Sequence, residues 1–364
     1  MEVGFDGRSF LAGRGVARYT RRLSGALASR HPRDGWHAFV PGAGPVDVPD
    51  PGPVLHRDPR RQRVLFASAA LAGRPHLDGP GGLLRRPVDV VWIPAPAPVA
   101  VAPGTPYVLT VHDLSFERRP RDFTPYERLW HRLARPRRLG ARATRIVCDS
   151  EAVAAEVRAD WPVDPARVSV VVPGVDRPPA GQKTPHPEGA APERYLLFVG
   201  ALEPRKAPAV LGRAFAEARA RGLDADLVVA GGGRLAGEVE GPGVHVLGGV
   251  DDATLHALYA HALALVMPSW LEGFGLPPLE AAGHGVPSVV TDLPVFRETL
   301  GAGALFVPPG DAGALADALL RIAGEPDLRN RLAAAAGARL APMTWDRAAD
   351  ELRGVLAEAA EERG

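Results

Sequence analysis

Short apolar runs alternate with helix-like segments through both halves of this chain, and this alternation restricts the fold more than any other feature. In the first half, the runs predict strands at 2–5, 36–40, 88–93, 107–111, 144–148 and 168–172. In the second half, they predict strands at 195–199, 227–230, 244–247, 263–267, 288–291 and 305–307. Helical spacing between strands is clearest at 16–29, 125–139 and 151–159. The pattern predicts an α/β protein whose parallel sheets carry helices on both faces.

Length and composition predict more than one domain. A chain of 364 residues with 46% hydrophobic content exceeds one comfortable core. The segment 177–193, rich in proline, glycine and charge, is typical of a linker. We therefore expect domains at 1–180 and 181–344. A last helical segment, 345–364, has no strand after it, and we expect it to pack back on the first domain.

Several classes of protein are disfavoured by composition. The single cysteine, Cys148, excludes an intramolecular disulfide and a cysteine-based zinc site, and its apolar neighbours favour a buried thiol. The first residues show no basic stretch followed by an apolar run. The most apolar candidate span, 88–103, contains Asp89 and is interrupted by prolines. We expect a cytoplasmic protein without a membrane span.

The net charge of +1 conceals an uneven distribution. Residues 1–180 contain 27 Lys and Arg against 18 Asp and Glu, which leaves 16 against 24 for residues 181–364. Many of the arginines lie at 57–63 and 127–145. A basic first half favours an anionic acceptor or peripheral contact with an anionic membrane; a solvated arginine face is the alternative. Because no nucleic-acid module is recognisable, we expect no nucleic-acid partner.

The segment 271–285 is the most informative about function. It places Glu272 and Glu280 eight residues apart around a turn of glycine and proline that opens a short helix. The apolar run 262–268 predicts a buried strand directly before it, and ligands bind at the carboxyl ends of strands in open α/β sheets. We expect the helix over 278–284, with Glu280 in its first turn.

The start of this helix favours an anion such as a diphosphate. The N–H groups of Gly275 and Leu276 and the positive helix end would face such a ligand. Two carboxylates beside an anion need other donors, and sugar hydroxyls suit Glu272 and Glu280. An acidic cap that binds no ligand is the alternative.

Two further groups follow predicted strands. Arg205 and Lys206 come after the strand at 195–199, where paired cations suit a diphosphate; two solvated cations are the alternative. His112 follows the strand at 107–111, as a proton-handling or hydrogen-bonding group or as a histidine that caps the sheet.

Glycines also open two turns. Gly7, Gly13 and Gly15 form a loop ahead of the first helix, but Arg18 stands where the dinucleotide fingerprint needs its third glycine. A dinucleotide oxidoreductase is therefore disfavoured. The turn 231–233 follows another predicted strand and is weak evidence alone.

Taken in order, these motifs resemble the retaining GT-B glycosyltransferases of family 4, over nearly the whole chain. The resemblance is carried by 13–19, 112–114, 148–151, 172–176, 203–206 and 272–280. It implies two Rossmann-like domains with parallel sheets that face each other across a cleft. The N-terminal domain would recognise the acceptor, and the C-terminal domain would hold a nucleotide-sugar donor.

The resemblance also implies roles for the residues of the second half. Glu280 would bind the ribose hydroxyls, and Glu272 would bind a hydroxyl of the donor sugar. Arg205 and Lys206 would neutralise the diphosphate.

Further roles follow in the same way. The amides of Gly275 and Leu276 would assist the cations, Gly15 would approach the donor from the other domain, and His112 would contact the transferred sugar. Such enzymes usually require no metal or other cofactor, because cations and a helix dipole stabilise the departing nucleoside diphosphate.

The chain departs from the family pattern in two places. Ala207 and Pro208 follow the Arg-Lys pair where many relatives have Asn, and the turn 231–233 has no obvious polar partner for the base. GDP-mannose and UDP-hexoses are therefore both candidate donors, for the synthesis of polysaccharide, glycolipid or glycosylated metabolites. A nucleotide-sugar epimerase of the same fold and a non-catalytic nucleotide-sugar-binding protein are the alternatives.

Overall fold

The computed structural model describes residues 1–11, 15–79, 81–178, 184–187 and 189–362. Within them the chain forms two units, Met1–Gly174 with Met343–Gly364 and Val175–Pro342. Gly13 of the glycine loop and positions 179–183 and 188 of the expected linker lie outside the described residues.

The first unit contains a parallel sheet of seven strands. The strands are β1 (Glu2–Asp6), β2 (Gly35–Pro41), β3 (Val54–Asp58), β4 (Val90–Ile93), β5 (Tyr107–Val111), β6 (Arg145–Cys148) and β7 (Val168–Val170). Their order across the sheet is β3-β2-β1-β4-β5-β6-β7. Its helices are α1 (Gly15–Arg30), α2 (Gln62–Ala72), α3 (Ser115–Arg118), α4 (Pro125–Ala134), α5 (Pro136–Arg142) and α6 (Glu151–Asp160).

The second unit has a parallel sheet of six strands. The strands are β8 (Tyr195–Val199), β9 (Asp226–Ala230), β10 (Val244–Gly248), β11 (Ala264–Met267), β12 (Ser288–Thr291) and β13 (Ala304–Val307). Their order is β10-β9-β8-β11-β12-β13. Its helices are α7 (Pro208–Ala220), α8 (Asp252–His261), α9 (Leu276–Gly283), α10 (Pro294–Leu300), α11 (Ala312–Gly324) and α12 (Pro326–Arg339).

The last helix, α13 (Trp345–Glu361), packs on α1 within the first unit. Its buried Leu352 and Leu356 join the apolar core on one face of the first sheet. An ion pair between Arg30 and Asp350, 2.6 Å from Nη2 to Oδ2, adds a polar contact at the edge of this packing.

Each sheet is buried on both faces, as continuous apolar strands require. In β4, Val90 and Trp92 belong to one core cluster, whereas Val91 and Ile93 belong to the cluster on the opposite face. This alternation follows from the period of two along a strand. The predicted α/β class, with a parallel sheet in each domain, is confirmed.

Two local expectations need correction. The strand β3 was not predicted, because it lies at the sheet edge and reads Val-Leu-His-Arg-Asp with little apolar content. The helix expected over 125–139 is two helices, since Arg135 adopts a left-handed backbone conformation with φ of 47° and Pro136 begins α5. Among the described residues, no helix is long and apolar enough to cross a membrane.

Candidate functional site

In the second unit, the residues after β8 and those after β11 meet because these two strands are parallel neighbours. Lys206 Nζ lies 2.5 Å from Glu272 Oε1, and each side chain is only 8% exposed. Arg205 Nη1 lies 3.9 Å from Glu272 Oε2. The backbone N–H of Trp270 donates to the Arg205 carbonyl over 2.8 Å and ties the two loops together. The predicted cations and the first predicted glutamate therefore form one cluster.

The helix α9 begins at Leu276, two residues earlier than expected. Gly275 precedes it with φ of 84°, a conformation that favours glycine. A Cβ at this position would lie 2.5 Å from Cε1 of the Phe296 ring, so the backbone is pressed against α10. First-turn N–H groups have no intrahelical acceptor, which leaves the amides here available to an anion.

Glu280 lies in the second turn of α9 and not in the first, because the helix starts earlier than the sequence suggests. Its side chain is buried, and the Tyr259 hydroxyl donates a hydrogen bond to Oε2 over 2.8 Å. A buried carboxylate that accepts a hydrogen bond from a fixed donor does not serve as a solvated cap. Tyr259, on α8, was not identified from the sequence; nothing in its local pattern indicates this contact.

A pair of histidines lies beside this tyrosine. The His284 ring stacks on Tyr259 with centroids 5.7 Å apart, and its Nε2 lies 3.0 Å from His256 Nδ1. Burial, and then the charge of His256, lower the pKa of His284 to about 4. His284 is therefore neutral near pH 7 and adds no positive charge beside Glu280.

The glycine turn after β9 packs closely against the end of β8. Gly231 has φ of 149°, and a Cβ there would lie 1.9 Å from the Gly200 carbonyl oxygen. Any side chain at this position would force the two strand ends apart.

In the first unit, His112 and Asp149 follow the neighbouring strands β5 and β6. His112 Nδ1 lies 2.6 Å from Asp149 Oδ2, and the edge of the Tyr19 ring packs on the imidazole with centroids 4.7 Å apart. Among the described residues, neither His112 Nε2 nor Asp149 Oδ1 has a hydrogen-bond partner. Both atoms are buried, and the Pro94 carbonyl is close enough to His112 to help raise its pKa.

The environment of His112 favours its protonated form. Burial acts to lower its pKa, but the charge and hydrogen bond of Asp149, with the charge of Asp113, outweigh burial and raise the pKa above 6.5. Asp149 was quoted in a motif but given no role. The sequence signal for this pairing is that Asp149 directly follows one strand and His112 directly follows the neighbouring strand.

The first strand of this unit ends in a second buried ion pair that the sequence reading missed. Arg8 Nε lies 2.9 Å from Asp6 Oδ2, and the guanidinium lies over the rings of Phe66 and Trp130 at 5.1 and 4.8 Å. Burial raises the pKa of Asp6 against the opposing charge of Arg8, and it lowers the pKa of Arg8.

Gly15 is the first residue of α1 and is exposed. Among the residues that the structure describes, no heavy atom lies within 4 Å of a Cβ built on it. Across the described ranges, no group of three or more His, Cys, Asp or Glu side chains is placed to hold a metal ion.

Two family models match this chain. Residues 13–177 match "Glycosyltransferase Family 4", and residues 193–325 match "Glycosyl transferases group 1".

Curated relatives support the same assignment. The chain is 32% identical over 302 residues to a D-inositol 3-phosphate glycosyltransferase of Frankia alni, a match that covers 73% of this chain and 71% of the relative. It is 35% identical over 247 residues to the enzyme of that name in Actinosynnema mirum, covering 60% and 58%. It is 47% identical over 77 residues to the O-antigen chain mannosyltransferase RfbU of Salmonella typhimurium, covering 21% and 22%. The chain thus spans little more than half of the Actinosynnema relative and about a fifth of RfbU.

Solved structures share the fold over almost the whole chain. Sucrose-phosphate synthase from Thermosynechococcus elongatus aligns with a TM-score of 0.71 at 20% identity, covering 98% of both chains. WaaG, a glycosyltransferase involved in lipopolysaccharide biosynthesis, aligns at 0.69 with 17% identity, covering 97% of this chain and 99% of WaaG. Together with the Frankia relative and the two family models, this likeness shows that the chain belongs to glycosyltransferase family 4 and has the GT-B fold.

Proposed function

We propose that this protein is a retaining glycosyltransferase that transfers a hexose from a nucleoside diphosphate sugar to an acceptor hydroxyl. The observation that carries the proposal is the cluster of Arg205, Lys206 and Glu272 at the carboxyl ends of β8 and β11, close in sequence to the start of α9. It combines two cations with a carboxylate that can accept from a sugar hydroxyl.

We assign the donor to the second unit. The diphosphate interacts with Arg205 and Lys206 and with the amides of Gly275 and Leu276. A diphosphate carries more negative charge than Glu272, so it competes with Glu272 for Lys206 when the donor binds. This competition frees Glu272 to accept a hydroxyl of the donor sugar.

Glu280 binds the ribose hydroxyls in this proposal. The hydrogen bond from the Tyr259 hydroxyl to Oε2 orients the carboxylate. In the first unit, which we assign to the acceptor, His112 contacts the transferred sugar and the open backbone at Gly15 approaches the donor.

The chemistry that we propose is substitution at the front face of the sugar. The bond from the anomeric carbon to the phosphate oxygen breaks, the acceptor oxygen bonds to the same face, and the leaving phosphate oxygen takes the acceptor's proton. The cations and the helix start stabilise the negative charge that develops on the leaving group, so no metal or cofactor is required.

For the donor, GDP-mannose and UDP-hexoses are the candidates to compare. RfbU is named a mannosyltransferase, and a solved structure with TM-score 0.67 and 15% identity, Anabaena HepE, contains UDP and glucose. The relatives named for D-inositol 3-phosphate make a phosphate-bearing polyol the first acceptor to test. We place the enzyme in the cytoplasm, with peripheral contact between its basic first unit and the inner membrane face.

The test is to incubate the protein with GDP-mannose, UDP-glucose and UDP-N-acetylglucosamine, each with and without inositol phosphate. NMR of the product then gives the anomeric configuration. The proposal expects one donor to be consumed and the donor's configuration to be retained. Inversion would refute the retaining chemistry. Binding without consumption would instead identify a nucleotide-sugar-binding protein, and epimerised donor would identify an epimerase.

A further inference from the structure

A cavity of about 360 Å³ lies in the first unit between α2, the segment 98–103 and the α4–α5 pair. This volume falls in the range of small-molecule sites. Its lining includes the apolar side chains of Leu71, Val99, Leu133 and Leu139. Its polar groups are mainly arginines, so the cavity suits a ligand that is anionic at one end and apolar at the other.

Three arginines, Arg135, Arg138 and Arg142, line the cavity. Arg138 and Arg142 lie four residues apart on one face of α5, and Arg135 lies at the break just before that helix. Their guanidinium groups have no hydrogen-bonded or ion-paired partner within the described ranges. By contrast, Arg137 of α5 points elsewhere and pairs with Glu117 at 2.8 Å. Like charges at this spacing repel, so three unpaired arginines around a cavity favour an anionic occupant.

The surface next to the cavity is unusually apolar for an exposed surface. On α2, Val64 is 59% exposed and Leu71 is 78% exposed, and they lie on one face at a spacing of seven. On α4, Tyr126 and Leu129 are 50% and 49% exposed. These four residues, with the three cavity arginines, are called the α2–α4 face below.

The two helices of this face are packed together. Phe66 of α2 meets Trp130 of α4 edge to face at 5.2 Å, and Arg63 lies 5.1 Å over the Tyr126 ring. Large apolar side chains exposed beside clustered arginines are typical of helices that lie in the interface of an anionic membrane.

The position of the cavity separates it from the proposed transfer site. Tyr107, which lines the cavity, opens β5, whereas His112 follows the last residue of the same strand. A strand of five residues spans about 15 Å. The cavity therefore lies at the amino end of β5, and His112 lies at its carboxyl end.

We propose that the α2–α4 face binds an anionic phospholipid of a membrane surface. The lipid phosphate contacts Arg135, Arg138 and Arg142, and the neighbouring glycerol and chain carbons lie against the apolar side chains of the cavity. Val64, Leu71, Tyr126 and Leu129 enter the interface. This inference deepens the membrane contact of the proposed function and supplies its site and ligand.

The experiment is flotation of the full chain with phosphatidylglycerol vesicles and with phosphatidylcholine vesicles. We expect binding to the first and not to the second, and loss of binding at about 1 M salt, where the Debye length falls to about 3 Å. The double variant Arg138→Gln with Arg142→Gln should lower the vesicle affinity about 25-fold, at roughly fivefold for each charge. Leu71→Ser with Leu129→Ser should also weaken binding.

The matched control is Arg213→Gln with Arg331→Gln, which removes two exposed charges from α7 and α12 of the second unit. It should change the affinity by less than about twofold. Equal losses in both arginine variants, or equal binding to both vesicle types, would overturn the proposed site. A thermal shift with glycerol 3-phosphate that depends on Arg138 and Arg142, without vesicle binding, would overturn the membrane source and indicate a free phosphate ligand.

Glycosyl transfer to a soluble acceptor separates this proposal from the proposed function. Transfer should be unchanged in Arg138→Gln with Arg142→Gln. If the wild-type chain binds vesicles but transfers no sugar, the proposed enzyme activity would be refuted and the proposed lipid-binding site would not.

Discussion

Lys206 and Glu272 form a buried ion pair, 2.5 Å from Nζ to Oε1, between the loops that follow two neighbouring strands. Both residues were expected near a ligand, but their pairing depends on the sheet order. The pair places one positive and one negative side chain where we propose that the diphosphate sugar binds. Removal of either residue also leaves the other as a buried charge that has lost this partner, which lowers the stability of the protein.

We expect Lys206→Met to lower the unfolding free energy by about 3 kcal/mol, because Glu272 stays buried with only the more distant Arg205 as a cationic neighbour. It should also slow transfer by about 100-fold, since the leaving diphosphate loses a cation. The double change Lys206→Met with Glu272→Met should restore much of the stability but not the transfer rate. Thermal unfolding and kcat measured on the same preparations check this. Full recovery of kcat in the double variant would contradict the assigned roles.

Tyr259→Phe should weaken nucleotide binding by about fivefold, because Glu280 loses a fixed hydrogen-bond donor. Glu280→Ala should weaken it further. Tyr195→Phe is the matched control, since the Tyr195 hydroxyl donates to the Leu258 carbonyl over 2.8 Å in the same unit. Calorimetric titration with UDP and GDP measures the affinities. Equal losses in both tyrosine variants would show that the effect is general to the fold and not specific to Glu280.

Thermal-shift measurements with UDP, GDP and TDP should single out one base. A nucleotide at 100 times its Kd adds about 2.7 kcal/mol of stability through mass action. We expect the stabilising nucleotide to match the donor that is consumed in the transfer assay. Stabilisation by a nucleotide whose sugar is never consumed would argue for binding without turnover.

Asp149→Asn should lower the pKa of His112, because burial persists while the charge that outweighs it is removed. A pKa raised in the folded state contributes stability that is fully present below the unfolded value of 6.5 and is lost as pH rises through the folded pKa. The difference in unfolding free energy between the wild-type protein and the variant should therefore be largest at acidic pH. NMR titration of the His112 ring and unfolding at several pH values test this. An unchanged His112 pKa in the variant would refute the coupling.

Gly275→Ala should lower the unfolding free energy by about 2 kcal/mol, because an alanine there has both a strained backbone and a methyl against Phe296. It should also reduce transfer, since the start of α9 would shift. Gly354→Ala in α13, where the described residues outside the neighbouring helix backbone leave at least 4 Å around the added Cβ, should raise stability by about 0.5 kcal/mol. Chemical denaturation of both variants provides the comparison. A tolerated Gly275→Ala would mean that the helix start adapts without cost.

Local pattern was sufficient for the interior strands. Runs such as 195–199 and 107–111 are apolar on both faces, and only a strand covered on both sides buries them fully. The edge strand β3 escaped prediction because a solvent-facing strand needs little apolar sequence. The helix break at Arg135 was also not predicted, although Pro136 disfavours a helical conformation for the residue before it.

The sequence by itself determined the α/β class, the two parallel sheets and the residue types placed after each strand, because apolar periodicity and turn chemistry act over short distances. Only the tertiary structure decided which of those residues meet. Lys206 and Glu272 pair because β8 lies beside β11, His112 and Asp149 pair because β5 lies beside β6, and Glu280 faces Tyr259 because α8 packs on α9. Strand order and helix packing are set by the global burial of apolar surface, which no local segment encodes.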